Sequence, residues 1–243
     1  MKPFGALLAV LVFGGCWGCC TAPQMTEFSA HYDIGSPQNI AEVPMILVGF
    51  VLADARPAGA LRPSRRDGHQ PTRPWMVSVR VENVLQGNVP QKEISLFYFL
   101  GTDNLGSSAS PLTFATGDRK LFFLERDAGV LRTICDNWDS CVEPVFSGFH
   151  PHFKKDSHQP VTEAIVDLLL TRGEGATDND MIKAVRRVAG FHGYGEQVAI
   201  KRLQQVAREE TAPVRAAGCY ELAFGGHPCA SNSGGENPQA KDN

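Results

Sequence analysis

Three absences narrow the field before any residue is given a role. The chain has no excess of basic charge: 23 Lys and Arg stand against 26 Asp and Glu in 243 residues. The parts before and after residue 160 are each slightly acidic. Phosphate-backbone contacts need clustered cations, so nucleic acid is excluded as a partner. The one basic cluster, Arg62, Arg65 and Arg66, sits beside Asp67 in a Pro/Gly-rich loop and reads as a solvated face. Catalytic motifs are also missing. There is no Gly-x-Ser-x-Gly, no His-Glu-x-x-His and no Ser-x-x-Lys with partners. Gly101 to Ser108 has the outer spacing of a phosphate loop, but Ser107 stands where lysine is required. Finally, the later cysteines lack the Cys-x-x-Cys spacing of a zinc site. No cofactor and no metal is implied.

What is present begins at the N-terminus. Lys2 precedes a mostly apolar run of ten residues, Phe4 to Phe13, followed at once by small residues and cysteines. Ten residues match the apolar region of an export signal and fall well short of the ~20 that span a bilayer comfortably. The expected compartment is therefore outside the cytoplasm, with residues 1–22 as the export region and 23–43, polar and turn-rich, as a tether.

Four cysteines remain beyond it, Cys135, Cys141, Cys219 and Cys229. An even number in an exported chain reads as disulfides. Local pairing, Cys135 with Cys141 and Cys219 with Cys229, fits best among three connectivities. Each pair brackets turn formers, Asp136 to Ser140 in one case and Gly225 to Pro228 in the other.

From residue 44 the pattern is that of strands. Met45 to Leu52 is β-rich, and Gly49 within it marks a bulge or sharp bend. Trp75 to Val81 alternates with Val77, Val79 and Val81 on one face. Ile94 to Phe99, Lys120 to Leu124 and Val130 to Ile134 follow, the last two joined by a tight Asp127-Ala128-Gly129 hairpin. Five strands with an edge to protect suggest a closed or nearly closed barrel over 44–150.

A linker, 151–160, leads to helices. Val161, Ile165, Leu168 and Leu169 keep helical spacing up to a stop at Gly173. Met181, Ile182, Val185 and Val188 repeat it behind a cap at Asp178 or Asn179. A third helix runs from about Glu196 to Ala207, and Pro213 opens a fourth that reaches about Phe224. The helical subdomain covers 161–229, and 230–243 is a Ser/Gly/Asn-rich tail expected to be disordered.

Three partial resemblances add to this reading. Val12-Phe13-Gly14-Gly15-Cys16 resembles a bacterial lipoprotein lipobox, in which small residues precede a cysteine that becomes lipid-modified. Phe13 stands where leucine is usual, and cleavage near Ala22 is the rival. The resemblance implies a lipid anchor at Cys16.

Residues 41–145 resemble a netrin-like (TIMP-like) OB-type barrel. The matching stretches are Ile46 to Val51, Val79 to Gly87 and Gly117 to Leu124, with Gln86 where lysine is usual. The resemblance implies protein binding without an active site. The protease-inhibitor role of some members needs an N-terminal cysteine disulfide that is absent here. Ala199 to Leu203 with Thr211 to Ala223 resembles one HEAT-type repeat, too few for a solenoid, which implies a small bundle packed on the barrel.

Histidines and acids deserve a separate weighing. His150-Pro151-His152, with His158 beyond, could gather a metal, but Pro151 extends the chain and sends the rings to different sides. Asp136, Asn137 and Asp139 lack the glycine and glutamate of a calcium loop. Tyr98 and Trp138 read as packing aromatics. The expectation is an α+β chain, a five-stranded OB-like β-barrel followed by a C-terminal helical subdomain. It would be exported and lipid-anchored, binding protein or glycan at the cell envelope without catalysis. Two alternatives stand beside this, a hydrolase with Asp136, Asp139, His150 and His152 gathered in one cleft, and a purely structural envelope protein.

Overall fold

The computed structural model describes residues 37–59, 72–101, 113–134, 142–190 and 196–229. Its elements run in the order α1 (Pro37–Glu42), β1 (Met45–Pro57), β2 (Thr72–Gln86), β3 (Glu93–Gly101), β4 (Arg119–Asp127), β5 (Val130–Thr133) and β6 (Val142–Pro144). Four helices follow, α2 (Val161–Leu170), α3 (Asp178–Ala189), α4 (Glu196–Glu209) and α5 (Ala212–Phe224).

The strands close into a barrel in the order β1-β2-β3-β5-β4, with β4 returning to β1. Every pairing is antiparallel except β3 with β5, where Leu96 and Phe97 face Leu131 and Arg132 in parallel register. The result is the closed, OB-like α+β architecture expected. β4 borrows β1 on one edge, from Arg119 opposite Phe50 to Leu124 opposite Met45. Its other edge is shared by β5 at Leu124–Asp127 and by β6 at Lys120–Phe122. β6 is three residues long and carries no alternation from which it could be read.

Period-two alternation explains how one strand serves two cores. On β1, Met45, Leu47 and Val51 point into the barrel, while Ile46 and Val48 point out towards the helices. On β4, Phe122 and Leu124 point in, and Leu121 and Phe123 point out. A column of rings fills the barrel. Trp75 stacks near Tyr98 at 6.5 Å, Tyr98 meets Phe114 edge-on at 5.0 Å, and Phe114 meets Phe122 at 5.6 Å. Tyr98 is therefore a core aromatic, and burial pushes its hydroxyl pKa upward.

Gly49 does mark a bulge: the β1–β2 register shifts between Val48 and Gly49. A Cβ there would lie 2.2 Å from Val79 Cγ1, so only glycine lets the two strands approach this closely.

The outward cluster joins Ile46, Val48, Leu121 and Phe123 to Ile165, Leu168, Met181, Val185, Leu203 and Leu222 of the helices. Ile40 of α1 and Val43 belong to the same cluster. The end of the segment read as a tether thus packs against the body. Gln86 helps to hold it, its Nε2 donating to the carbonyls of Ala41 at 3.0 Å and Val43 at 2.5 Å.

The helix starts differ in detail from the expectation. Thr177, not Asp178 or Asn179, caps α3: its hydroxyl accepts from Asp180 N–H at 3.2 Å while the Asp180 carboxylate accepts from Thr177 N–H at 3.0 Å. α2 ends at Leu170, three residues before Gly173. Arg172 clasps the turn that follows, reaching Asp178 at 2.7 Å and Glu210 at 3.0 Å. Cys219 and Cys229 form a disulfide with Cα atoms 4.9 Å apart, which ties the chain after α5 back onto that helix.

Candidate functional site

The feature with the most chemistry lies where the barrel meets the helices. After β6 the chain passes Ser147 to His150 and forms a short bridge with the turn between α2 and α3. Phe149 N–H donates to Glu174 O at 3.2 Å, Glu174 N–H to Phe149 O at 2.8 Å, and Gly173 N–H to Ser147 O at 2.6 Å. Beside this bridge runs a groove of about 680 Å³. Gly117 to Lys120, Pro144 to Phe146, Gly148, Glu174 to Ala176 and Asp180 line it.

Both signs of charge face it, and the cations are already engaged. Arg119 makes two bonds to Glu82, 2.6 Å from Nε and 3.1 Å from Nη2. Its guanidinium also lies 5.5 Å from the ring centres of Phe50 and Phe149. Lys120 sits 3.4 Å from Asp118. The hydroxyl and then the backbone N–H of Thr177 shift the Asp180 carboxyl below its ordinary value. A groove with charges of both signs along it suits an extended polar chain better than an isolated anion.

Behind the bridge lies the nearest approach to a catalytic pair. His150 Nε2 is 2.9 Å from Ser147 Oγ, and that hydroxyl donates to Leu168 O at 3.2 Å. One hydroxyl has one proton; once it goes to Leu168, Oγ can only accept from Nε2–H. A nucleophile needs the reverse, with the imidazole accepting from the hydroxyl. Ser147 is also fully buried. The pair holds a loop together.

Burial, and then the positive charge of Arg119, lower the His150 pKa from 6.5 to about 4. The proton therefore binds the unfolded chain more readily than the folded one. Above pH 6.5 the imidazole is neutral in both states, and the stability is fully present. It declines as pH falls from 6.5 towards 4 and then levels off. The expected loss is about 2 kcal/mol once partial access of water is allowed for. Urea midpoints at pH 7 and pH 4.5 check it: His150→Gln should flatten the difference, and an equally steep fall in that variant would assign it elsewhere.

His150 is buried and His152 exposed. Asp136 and Asp139 lie outside the described residues, as do Cys135, Cys141 and the lipobox Cys16. Cys219 and Cys229 are joined. Among the described residues no group of three His, Cys, Asp or Glu is placed to hold a metal ion, and no helix is long and apolar enough to cross a membrane. Sequence reasoning gave no site role to Arg119, Glu82 or Ser147 and read Gly173 only as a helix stop. Ser147 lies in the run Ser147-Gly148-Phe149-His150, where Gly148 has φ +95°. No family model and no curated protein matches this chain.

Proposed function

We propose that the chain is an exported, lipid-anchored binding protein of the cell envelope that holds a protein or glycan in the groove between barrel and helices, without transforming it. The observation that carries this is the groove itself, lined by charges of both signs with Arg119 held on Glu82 and Lys120 beside Asp118. Preorganised polar walls hold a ligand in register at little entropic cost. Two further features support the reading. The apolar run behind Lys2, with Cys16 in a lipobox-like setting, would deliver the chain outside the cytoplasm and hold it to a membrane. The closed OB-like barrel agrees with a netrin-like relationship, in which binding without catalysis is the rule.

The test uses the full chain in its membrane. A photocrosslinking residue in place of Ala176, on the groove wall, is expected to trap one discrete envelope component, and Lys120→Glu should abolish that adduct. In parallel, Cys16→Ser is expected to remove incorporated palmitate and release the protein from the membrane fraction. An adduct unaffected by Lys120→Glu would move the binding surface elsewhere. A chain that stays in the cytoplasm would end the envelope role.

A further inference from the structure

The last helix is apolar on both sides. Its inner face, Val214, Gly218 and Leu222, is buried against α3 and α4, and Gly218 brings α5 close to Ala207. A surface helix ordinarily turns charge to the water on its other side. α5 does not. The residues opposite the buried row are Ala212, Pro213, Ala216, Tyr220, Ala223 and Phe224. Tyr220 is 66% exposed and Phe224 84%, and they are the large hydrophobic residues left in water among the described residues. The charged residues of α5, Arg215 and Glu221, fall at the flanks of this face.

We infer that this face packs against the same face of a second copy of the chain, with the two α5 helices antiparallel. Size complementarity decides the geometry. The N-terminal half of the face is built of alanine and proline, and the C-terminal half carries both rings. A two-fold axis at the level of Gly218 sets Tyr220 over the partner copy's alanine at position 216, and Phe224 over its alanine at position 212. A parallel pair would instead drive ring against ring and leave the alanines apart. The 3-4-3 spacing of Pro213, Ala216, Tyr220 and Ala223 is that of a helix–helix seam.

Area sets the strength. With ring side chains of roughly 150–250 Å² each and small residues between them, the face offers on the order of 500 Å² per copy. A pair would bury about 1,000 Å², at the lower bound for a specific interface, so the dimer is weak and reversible. A bilayer surface is the less fitting occupant, because membrane-lying helices flank their apolar face with several Lys or Arg, and α5 has one Arg balanced by one Glu. The Cys219–Cys229 bond, and the hydrogen bond from His227 N–H to Leu222 O at 2.8 Å, hold the end of α5 in place, so the rings are presented ready-made.

The experiment uses the full chain in its membrane, with a photocrosslinking residue replacing Tyr220. Two differently tagged copies are expected to crosslink to each other, with the adduct mapping to residues 212–216 of the second copy. Phe224→Glu should reduce that adduct at least tenfold while leaving the circular dichroism spectrum unchanged. Adducts to lipid, to a different protein or to residues 4–13 of the same chain would each overturn the proposal, as would the absence of any adduct. This test does not depend on the groove, so its failure leaves the proposed function standing.

Discussion

Gly173→Val is expected to cost at least about 4 kcal/mol, close to the whole stability of many domains of this size. A Cβ at position 173 would lie 2.6 Å from Phe149 O, 2.8 Å from Ser147 O and 2.7 Å from His150 Cε1. Two of these three are backbone oxygens, which have no rotamer through which to retreat. Relief requires the 147–150 segment to move off the α2–α3 turn. That motion breaks the Gly173–Ser147, Phe149–Glu174 and Glu174–Phe149 hydrogen bonds together. Overpacking alone costs about 1–3 kcal/mol, and each lost bond adds roughly 1. Gly175→Ala is the control. It has a positive φ of +78° but nothing within 4 Å, so only the strain of about 1 kcal/mol remains. Urea unfolding should show Gly173→Val shifted several times further than Gly175→Ala. Equal midpoints for Gly173→Val and the parent chain would mean that the bridge contributes nothing to stability.

The same glycine shows why part of this molecule is legible in sequence and part is not. Read locally, Gly173 is a helix stop, and α2 does end nearby. Its actual constraint comes from residues about 25 positions earlier, and no local window contains them. Alternation at Val77 and Val79, or helical spacing from Val161 to Leu169, concerns neighbours on one element, and those elements came out as expected. β6 has three residues and is defined only by β4 beside it. The groove follows the same logic. Arg119 and Glu82 are 37 positions apart, and nothing in either neighbourhood announces the other. Periodicity finds faces, whereas a site assembled by closure of a barrel becomes visible only after closure. Exposed α5 is the converse case: its helical spacing was readable, but whether the outer row met a neighbour was not.

Phe123→Ala is expected to destabilise barrel and helices together, by about 3–5 kcal/mol. Phe122 and Phe123 are adjacent and both fully buried, yet they serve different clusters. The side chain of Phe122 fills the barrel, while that of Phe123 lies among Ile46, Val48 and the helical residues Ile165 and Leu169. A cavity at position 123 therefore opens on the seam between strands and helices. If that seam is one continuous core, the helical signal in the far ultraviolet and the aromatic signal of the Trp75–Tyr98–Phe114 column must shift to the same lower urea concentration. The groove makes this coupling matter for the proposed binding, because its lining draws on both the start of β4 and the α2–α3 turn. Independent melting, with helices lost first and the ring column unmoved, would show that the barrel stands alone. The groove would then be a contact between two separate units, free to open. Coincident melting makes it a cleft between parts of one cooperative core, held in place by the seam in which Phe123 is buried.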